Sequence, residues 1–187
     1  MYILRVISGT AKGHKLITPK GTSTRPTSDK IKGSIFNILS ASVIDSDILD
    51  LYAGTGNLGI EALSRGARFA VFVDKDRECS RIIMENLKHT KLETKGEVIT
   101  GQALSVIKKL KDKNRKFDII FLDPPYQSGV LEDTIAEITK SGILNEDGII
   151  VAEHDSRHKL PEEINCLSIK DSRKYGDTAI TFYRTGR

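Results

Sequence analysis

From Asp47 onward the sequence alternates between short apolar runs and longer amphipathic runs, and this alternation limits the possible folds more than any other feature. The apolar runs DILDLY, FAVFVD, EVIT, FDIIFLD and GIIVAEH have the length of buried strands, and the segments between them have helical periodicity. Strands that alternate with helices run parallel and are covered by helices on both faces. We predict an α/β fold with a mostly parallel, doubly wound sheet.

Both ends of the chain depart from this rhythm. The segments INCLSIKDSRK and TAITFYR are joined by KYGD without a helix, which predicts an antiparallel hairpin at the sheet edge. Before Asp47, YILRVIS and HKLIT predict a small β-hairpin, and KIKGSIFNILSAS predicts an amphipathic helix capped by Ser28 or Asp29. At 187 residues we expect one domain, with a hairpin arm over 1–27 and a helix plus Rossmann-like core over 28–187.

The composition is that of an ordinary globular protein without a membrane anchor or a metal site. No apolar run approaches the roughly 20 residues needed to span a bilayer. The N-terminal MYILRVISGTAKGHK carries its basic residues after the apolar ones, the reverse of a signal peptide. Cys79, Cys166 and the four histidines show no metal-ligand spacing, and we expect both cysteines to be buried. The predictions are a cytoplasmic location, no metal and a monomer.

A glycine-rich turn, GTGNLG, follows the first predicted strand and precedes a helix. It matches the G-x-G-x-x-G pattern of dinucleotide-binding proteins, in which glycines allow a tight turn and the helix N-terminus faces the ligand. Asp74 ends the second strand 20 positions after Gly54. Either a dinucleotide enzyme or an S-adenosylmethionine enzyme would place a carboxylate there for ribose hydroxyls, so these residues leave both ligands open.

Two further features favour S-adenosylmethionine. Asp50 precedes the turn as D-x-x-x-G-x-G, and a carboxylate there would repel a pyrophosphate but could organise a ligand with a cationic amino group. Asp123 begins the sequence DPPY directly after the fourth strand. Its two prolines fix the backbone so that a carboxylate, a carbonyl and an aromatic ring face one pocket. Such a pocket suits a planar base that carries an amino group.

Positive charge is concentrated at the N-terminus. Residues 1–40 hold seven Lys or Arg residues and one acid, a net charge of +6, whereas the whole chain has a net charge of +4. The remaining 147 residues are therefore slightly acidic. A basic arm on a slightly acidic body suits a polyanionic partner such as RNA, although a charged segment is also common as a merely solvated face.

These motifs resemble those of the Rossmann-like class I S-adenosylmethionine-dependent methyltransferases. Within that class, RVISGTAKGHKL, RPTSDKIKGSIFNIL, LDLYAGTGNLGIEALSRGA, DPPY and KYGDTAITFYR are similar to the bacterial 16S ribosomal RNA guanine-N2 methyltransferase family (the RsmD type) over nearly the whole chain. The resemblance implies S-adenosylmethionine as cofactor, and ribosomal RNA or the small ribosomal subunit as partner. It implies methylation of an exocyclic guanine N2.

The motifs and the resemblance together give three sets of predicted site residues. The catalytic residues are Asp123, Pro124, Pro125 and Tyr126; the cofactor-binding residues are Asp50, Tyr52, Ala53, Gly54, Thr55, Gly56, Asp74, Lys75, Gln102 and Ala103; and the RNA-binding residues are Arg5, Lys12, Lys15, Arg25, Thr27, Lys30 and Lys32.

The chain departs from the family pattern at two places. The family usually carries Arg-Glu where this chain has Lys32-Gly33, and an acid where it has Gln102, whose side-chain carbonyl can still accept from the adenine amino group. The alternatives are a DNA adenine-N6 methyltransferase, a protein-glutamine methyltransferase and a non-enzymatic RNA-binding module. The first generally needs more mass for target recognition, the second more typically has Asn at position 123, and the third would leave DPPY without a use.

Glu153, His154 and Asp155 form a sequence cluster that resembles a catalytic group. Successive side chains on a strand point to opposite faces, so the three residues cannot act together in one pocket. We therefore expect these three to be strand-end residues near the pocket rim.

Overall fold

The computed structural model describes residues 4–19, 28–125 and 129–185. Eight strands form one sheet in the order β3-β2-β1-β4-β5-β8-β7-β6. In chain order the strands are β1 (Asp47–Leu51), β2 (Phe69–Asp74), β3 (Gly96–Thr100), β4 (Phe117–Leu122), β5 (Leu144–Asp155), β6 (Glu163–Ile164), β7 (Leu167–Tyr175) and β8 (Thr178–Thr185). The first five strands are parallel, which confirms the predicted fold class.

Helices cover both faces of the sheet. They are α1 (Asp29–Leu39), α2 (Asn57–Ser64), α3 (Arg77–His89), α4 (Ala103–Asp112) and α5 (Val130–Ser141), with short 3₁₀ turns at Ser40–Val43 and Glu93–Lys95. Side chains of α1, α2 and α3 share one apolar core with one face of the strands, and side chains of α4 and α5 share a second core with the other face. Ser28 caps α1, since its hydroxyl accepts from the Ile31 N–H at 3.3 Å.

The last strand lies inside the sheet. β8 pairs antiparallel with β5 on one side and with β7 on the other, and the two-residue β6 lies at the outer edge. The predicted antiparallel C-terminal hairpin is therefore present as β7 and β8. β5 begins at Leu144, four residues before the predicted start at Gly148. Its pairing with β4 is irregular between Leu144 and Ile149, so the strand includes the turn-like segment NEDG.

The N-terminal segment forms a hairpin that is docked on the body. The Val6 N–H donates to the His14 carbonyl at 2.9 Å, the Leu16 N–H donates to the Leu4 carbonyl at 2.8 Å, and Arg5 and Lys15 form one antiparallel bridge. Leu4, Val6 and Leu16 are buried in the core that contains α1 and α2. The arm is thus built into the domain on the face that carries those helices.

A buried carboxylate holds this arm in place. Glu61 of α2 accepts from the backbone N–H groups of Ile7 at 2.8 Å and Ser8 at 3.0 Å. The Lys32 ammonium lies 3.1 Å from the same carboxylate and also donates to the Arg5 carbonyl at 2.5 Å. Both charged side chains are fully buried, and burial lowers the pKa of Lys32. The prediction that Lys32 binds RNA is therefore wrong, because its ammonium is committed to the interior.

Two other sequence-based expectations, on the cysteines and on membrane-spanning segments, can be compared with the structure. Cys166 is exposed and Cys79 is half-buried, so the expectation that both cysteines are buried is wrong; Cys166 follows the short edge strand β6, which leaves its side chain uncovered. Among the described residues, no helix combines the length and the apolar character needed to cross a bilayer.

Replacement of Gly9 by alanine should undock the arm. Gly9 has a φ of +82°, and a Cβ at this position would lie 1.8 Å from the Ser64 carbonyl oxygen of α2. Gly13 has a φ of +89° with no atom within 4 Å of the equivalent position, so Gly13→Ala is the matched control. We expect Gly9→Ala to lower the free energy of unfolding by roughly 2 kcal/mol more than the control does, measured by urea denaturation. Equal losses would show that the arm tolerates displacement from α2.

Candidate active site at the carboxyl ends of the parallel strands

Those of the predicted catalytic and cofactor-binding residues that the structure describes lie along one edge of the sheet. The strand order places the carboxyl ends of β2, β1 and β4 side by side. Successive strands are added towards one edge of the sheet from β1 to β3 and towards the other edge from β4 onward, so the strand order switches between β1 and β4. In open α/β sheets ligands bind at this position. The structure brings together the glycine turn after β1, Asp74 at the end of β2, and Asp123 with Pro124 after β4. Gln102 and Ala103 follow β3, one strand further out.

Hydrogen bonds fix the glycine turn to its neighbours. The Gly54 N–H donates to the Asp74 carboxylate at 2.9 Å, and the Ala53 N–H donates to the Val73 carbonyl at 3.0 Å. Tyr52, Gly54 and Gly56 all have positive φ, and the Tyr52 hydroxyl lies 2.8 Å from the Thr134 hydroxyl of α5. The turn is a rigid surface rather than a free loop.

Asp50 anchors the helix that follows the turn. Its carboxylate is only 4% exposed and accepts from the Gly59 N–H of α2 at 2.9 Å. A Cβ on Gly59 would lie 2.3 Å from the Phe72 ring, so the last glycine of GTGNLG permits close packing of helix on strand. Burial raises the pKa of Asp50 to about 7, the Gly59 N–H opposes this, and the Asp74 charge adds to it.

The residues after β2 and β3 differ in their accessibility. Asp74 is half-buried, and its second carboxylate oxygen accepts from the Asp76 N–H at 2.9 Å. Lys75 and Gln102 are exposed, and Ala103 is buried at the start of α4. Gln102 makes no capping hydrogen bond to its own helix.

Asp123 lies beside two other acids. It is half-buried, Pro124 is buried, Pro125 is exposed, and Tyr126 lies outside the described residues. The pKa of Asp123 is raised well above its ordinary value, first by burial and then by the charges of Glu153 and Asp50.

The sequence analysis places Glu153 at the pocket rim. In the structure Glu153 is buried, with only 6% of its surface exposed. The expected alternation is present: His154 is also buried but bonds to Thr181 and to the Asp155 carbonyl, at 2.9 and 3.0 Å. The signal that could have found Glu153 is strand parity. Ile149 and Val151 of β5 lie in the same core as Ile48, which points to the same face of β1 as Asp50. Glu153 is the next residue on β5 that points to this face.

The edge of the turn can accommodate S-adenosylmethionine. A Cβ on Gly54 would project into open space, with no atom of the described chain within 4 Å, and the backbone there is left-handed with a φ of +55°. A ligand can therefore approach the bare backbone at this point. The Asp74 carboxylate lies beside that space, where it accepts from the Gly54 N–H.

The RNA-binding predictions have mixed outcomes in the structure. Lys12, Lys15 and Lys30 are exposed, and Arg5 is exposed but pairs with Asp29 at 2.9 Å. Arg25 and Thr27 lie outside the described residues.

This sheet, with a glycine turn after β1 and Asp-Pro-Pro after β4, is the arrangement of a Rossmann-like methyltransferase. Comparison with known proteins specifies the family. The family described as Conserved hypothetical protein 95 matches residues 4–184, and the chain belongs to this family, the RsmD family.

Two relatives and one solved structure illustrate the similarity. The chain is 41% identical over 181 residues to the Bacillus subtilis protein YlbH, covering 97% of this chain and 98% of YlbH. It is 33% identical over 181 residues to Ribosomal RNA small subunit methyltransferase D of Escherichia coli, covering 97% and 89% of the two chains. The solved structure of Escherichia coli yhhF superposes with a TM-score of 0.86 at 32% identity, covering 98% of each chain.

The raised pKa of Asp50 predicts a pH-dependent stability. The pKa of Asp50 is about 7 in the folded state, whereas the carboxyl of an unfolded Asp titrates at about 4. Between these two pH values the folded state retains a proton that the unfolded state releases. The free energy of unfolding should therefore fall as the pH rises from about 4 to about 7. Asp50→Asn keeps an oxygen for Gly59 and cannot ionise, so it should reduce this fall by a few kcal/mol in urea denaturation. The exposed Asp133→Asn serves as control, and an unchanged fall in Asp50→Asn would contradict the assignment.

Proposed function

We propose that this protein transfers a methyl group from S-adenosylmethionine to the N2 amino group of a guanine in small-subunit ribosomal RNA. The observation that carries the proposal is the Asp123-Pro124 corner, which lies next to the glycine turn in the crevice between β1 and β4. The Escherichia coli relative is named a small-subunit ribosomal RNA methyltransferase, which supports the choice of RNA. The guanine amino group is what the resemblance of the motifs to the guanine-N2 methyltransferase family implies, and the Asp123-Pro124 corner suits a base that carries an amino group.

The cofactor would lie across the carboxyl ends of the strands. The bare Gly54 backbone faces its methionine part, Asp74 receives its ribose hydroxyls, and Gln102 with Ala103 borders its adenine. Asp50 holds α2 through its bond from the Gly59 N–H and would border the amino end of the ligand. When bound, S-adenosylmethionine supplies an activated methyl group, and the electron pair of its C–S bond leaves with the sulfur as S-adenosylhomocysteine.

The chain's own contribution is to position the target and to receive a proton. The Asp123 carboxylate and the Pro124 carbonyl accept the two N–H bonds of the guanine amino group, so its lone pair points at the methyl carbon and forms the new C–N bond. Such alignment can account for up to roughly 7–11 kcal/mol of barrier reduction. The methylated nitrogen then releases one proton to Asp123 or to water. Burial raises the pKa of Asp123, so its carboxylate, once ionised, is a stronger base than an ordinary carboxylate.

Replacement of Asp123 by alanine should abolish methyl transfer and leave cofactor affinity within a few fold, because this carboxylate serves the target amino group. Activity is measured as transfer of labelled methyl groups to small-subunit particles from a strain lacking the enzyme, and affinity by calorimetry with S-adenosylmethionine. The exposed Asp133→Ala of α5 is the control and should match the wild type. Turnover near the wild-type rate in Asp123→Ala would refute the proposed role.

We further propose that the docked arm contributes to RNA binding through its exposed lysines. Lys12 and Lys15 belong to the hairpin and Lys30 to the first turn of α1, so all three project from one side of the sheet. Each lysine that neutralises a phosphate releases counterions, which makes binding weaken with salt.

Neutralising these three lysines should weaken RNA binding and flatten its salt dependence. If Lys12, Lys15 and Lys30 each meet a phosphate, changing all three to Gln should reduce the slope of log K against log salt by about 2. Cofactor affinity should stay unchanged. The matched control changes Lys108, Lys109 and Lys111 of α4 to Gln, the same charge removed from the opposite face. Equal slopes for the two triple variants would assign recognition to surfaces other than the arm.

A further inference from the structure

Tyr52 breaks the alternation of the strand that precedes it. Leu49 and Leu51 of β1 lie in the core that contains α4 and α5, so a regular strand would turn the next side chain to the opposite face. The Tyr52 ring nevertheless packs against the same core as Leu51. Its φ of +63° lies in the left-handed region, where the strand alternation ends. The backbone of the glycine turn therefore directs this ring towards α5.

The left-handed conformation is unfavourable for a tyrosine. A bulky residue with positive φ is strained, and such strain persists where other contacts of the residue compensate for it. Gly54 and Gly56 of the same turn also have positive φ, and glycine adopts it without this strain. A tyrosine at position 52 therefore indicates a role for its side chain that a third glycine could not supply.

The Tyr52 hydroxyl is bound to the first turn of α5. It lies 2.8 Å from the Thr134 hydroxyl, and that hydroxyl donates to the Val130 carbonyl at 2.7 Å. Because Thr134 has a single hydroxyl proton and gives it to Val130, Tyr52 is the donor to Thr134. Thr134 is buried, so water is kept away from this bond. The two hydroxyls form a direct link between the glycine turn and the start of α5.

A second bond attaches the same turn of α5 to another segment. Glu132 lies in this turn, and its carboxylate is 2.7 Å from Nε2 of His158, which follows β5. In the sheet β4 lies between β1 and β5, and the Asp123-Pro124 corner is at the carboxyl end of β4. The segments after β1 and β5 thus both hold the helix that follows β4. The corner lies between these two attachments.

Methyl transfer depends on how accurately these segments are placed. The target nitrogen, the methyl carbon and the sulfur must be in line, and a displacement far from the reacting atoms can slow such a reaction strongly. We propose that Tyr52 is a positioning residue for methyl transfer, whose hydroxyl fixes the Asp123-Pro124 corner relative to the cofactor through Thr134. This inference rests on the proposed function. The Tyr52 backbone would border the cofactor, as the sequence analysis predicts, while its side chain serves the corner.

The first test compares two tyrosines that each lose one hydroxyl. Tyr52→Phe keeps the ring and removes the bond to Thr134. Tyr183→Phe is the matched control, because the Tyr183 hydroxyl donates to the Pro161 carbonyl at 2.6 Å and its ring lies in the same core. The measurements are kcat per folded molecule for methyl transfer to small-subunit particles, S-adenosylmethionine affinity by calorimetry, and urea unfolding.

Tyr52→Phe should lower kcat by about 10-fold, since the reacting atoms lose alignment. Its dissociation constant for S-adenosylmethionine should stay within about twofold of the wild-type value, because the lost hydroxyl faces α5 and not the cofactor. Tyr183→Phe should lose a similar amount of stability and keep kcat within about twofold of the wild type.

Two replacements of Thr134 separate positioning from stability. Thr134→Val keeps nearly the same shape without the hydroxyl, and it should slow transfer as Tyr52→Phe does. Thr134→Ser keeps the hydroxyl but removes a buried methyl group, so it should retain most of the wild-type kcat while unfolding more easily. The double variant Tyr52→Phe with Thr134→Val should be no slower than the slower single variant, because both changes remove the same bond.

Each outcome decides a different question. A folded Tyr52→Phe with the wild-type kcat would overturn the role of Tyr52 and leave the proposed function intact. If Tyr52→Phe does not fold, equal kcat values in Thr134→Val and Thr134→Ser would overturn that role. Absence of methyl transfer from S-adenosylmethionine by the wild type would instead overturn the proposed function, and this inference with it.

Discussion

The buried Glu61 carboxylate is the interaction on which the arrangement of this protein depends. Its two oxygens accept from backbone N–H groups of the arm, from the Lys32 ammonium of α1 and from the guanidinium of Arg65, the residue that ends α2, at 2.7 Å. Three segments distant in sequence are thereby fixed around one charge, which lies on the helix that follows the glycine turn. Loss of one member of such a buried network typically costs about 3–5 kcal/mol, because the remaining charge is left without compensation.

Sequence patterns predicted the parallel sheet, its helices and the edge at which the acids meet, because these follow from local periodicity and from the rule that parallel strands end together. They failed where a side chain's role depends on distant contacts. Lys30 and Lys32 both belong to the basic N-terminal segment, and nothing in the sequence distinguishes them. Only Lys32 meets Glu61 after folding, so Lys32 is buried and Lys30 is exposed. Glu153 was expected at the pocket rim because it lies near a strand end, but the pairing of β5 with β8 continues through this residue and buries it.

A second network connects the arm to the glycine turn. The Asn86 side chain of α3, which is fully buried, accepts from the Ile17 N–H at 2.7 Å and donates to the carbonyls of Ile17 and Thr55. No periodicity in the sequence marks this asparagine, since its partners lie 69 and 31 residues away. The basic hairpin and the proposed cofactor cradle therefore share one rigid base, although their ligands differ in chemistry.

The interior position of β8 has a consequence for truncated forms of the chain. Residues 178–185 supply the hydrogen-bond partners of both β5 and β7. A chain shortened before Thr178 would expose two open strand edges at once, one of them on the long and largely buried β5. Open edges of this kind template association between molecules. Premature termination near the C-terminus would therefore create an aggregation-prone species rather than a smaller folded enzyme.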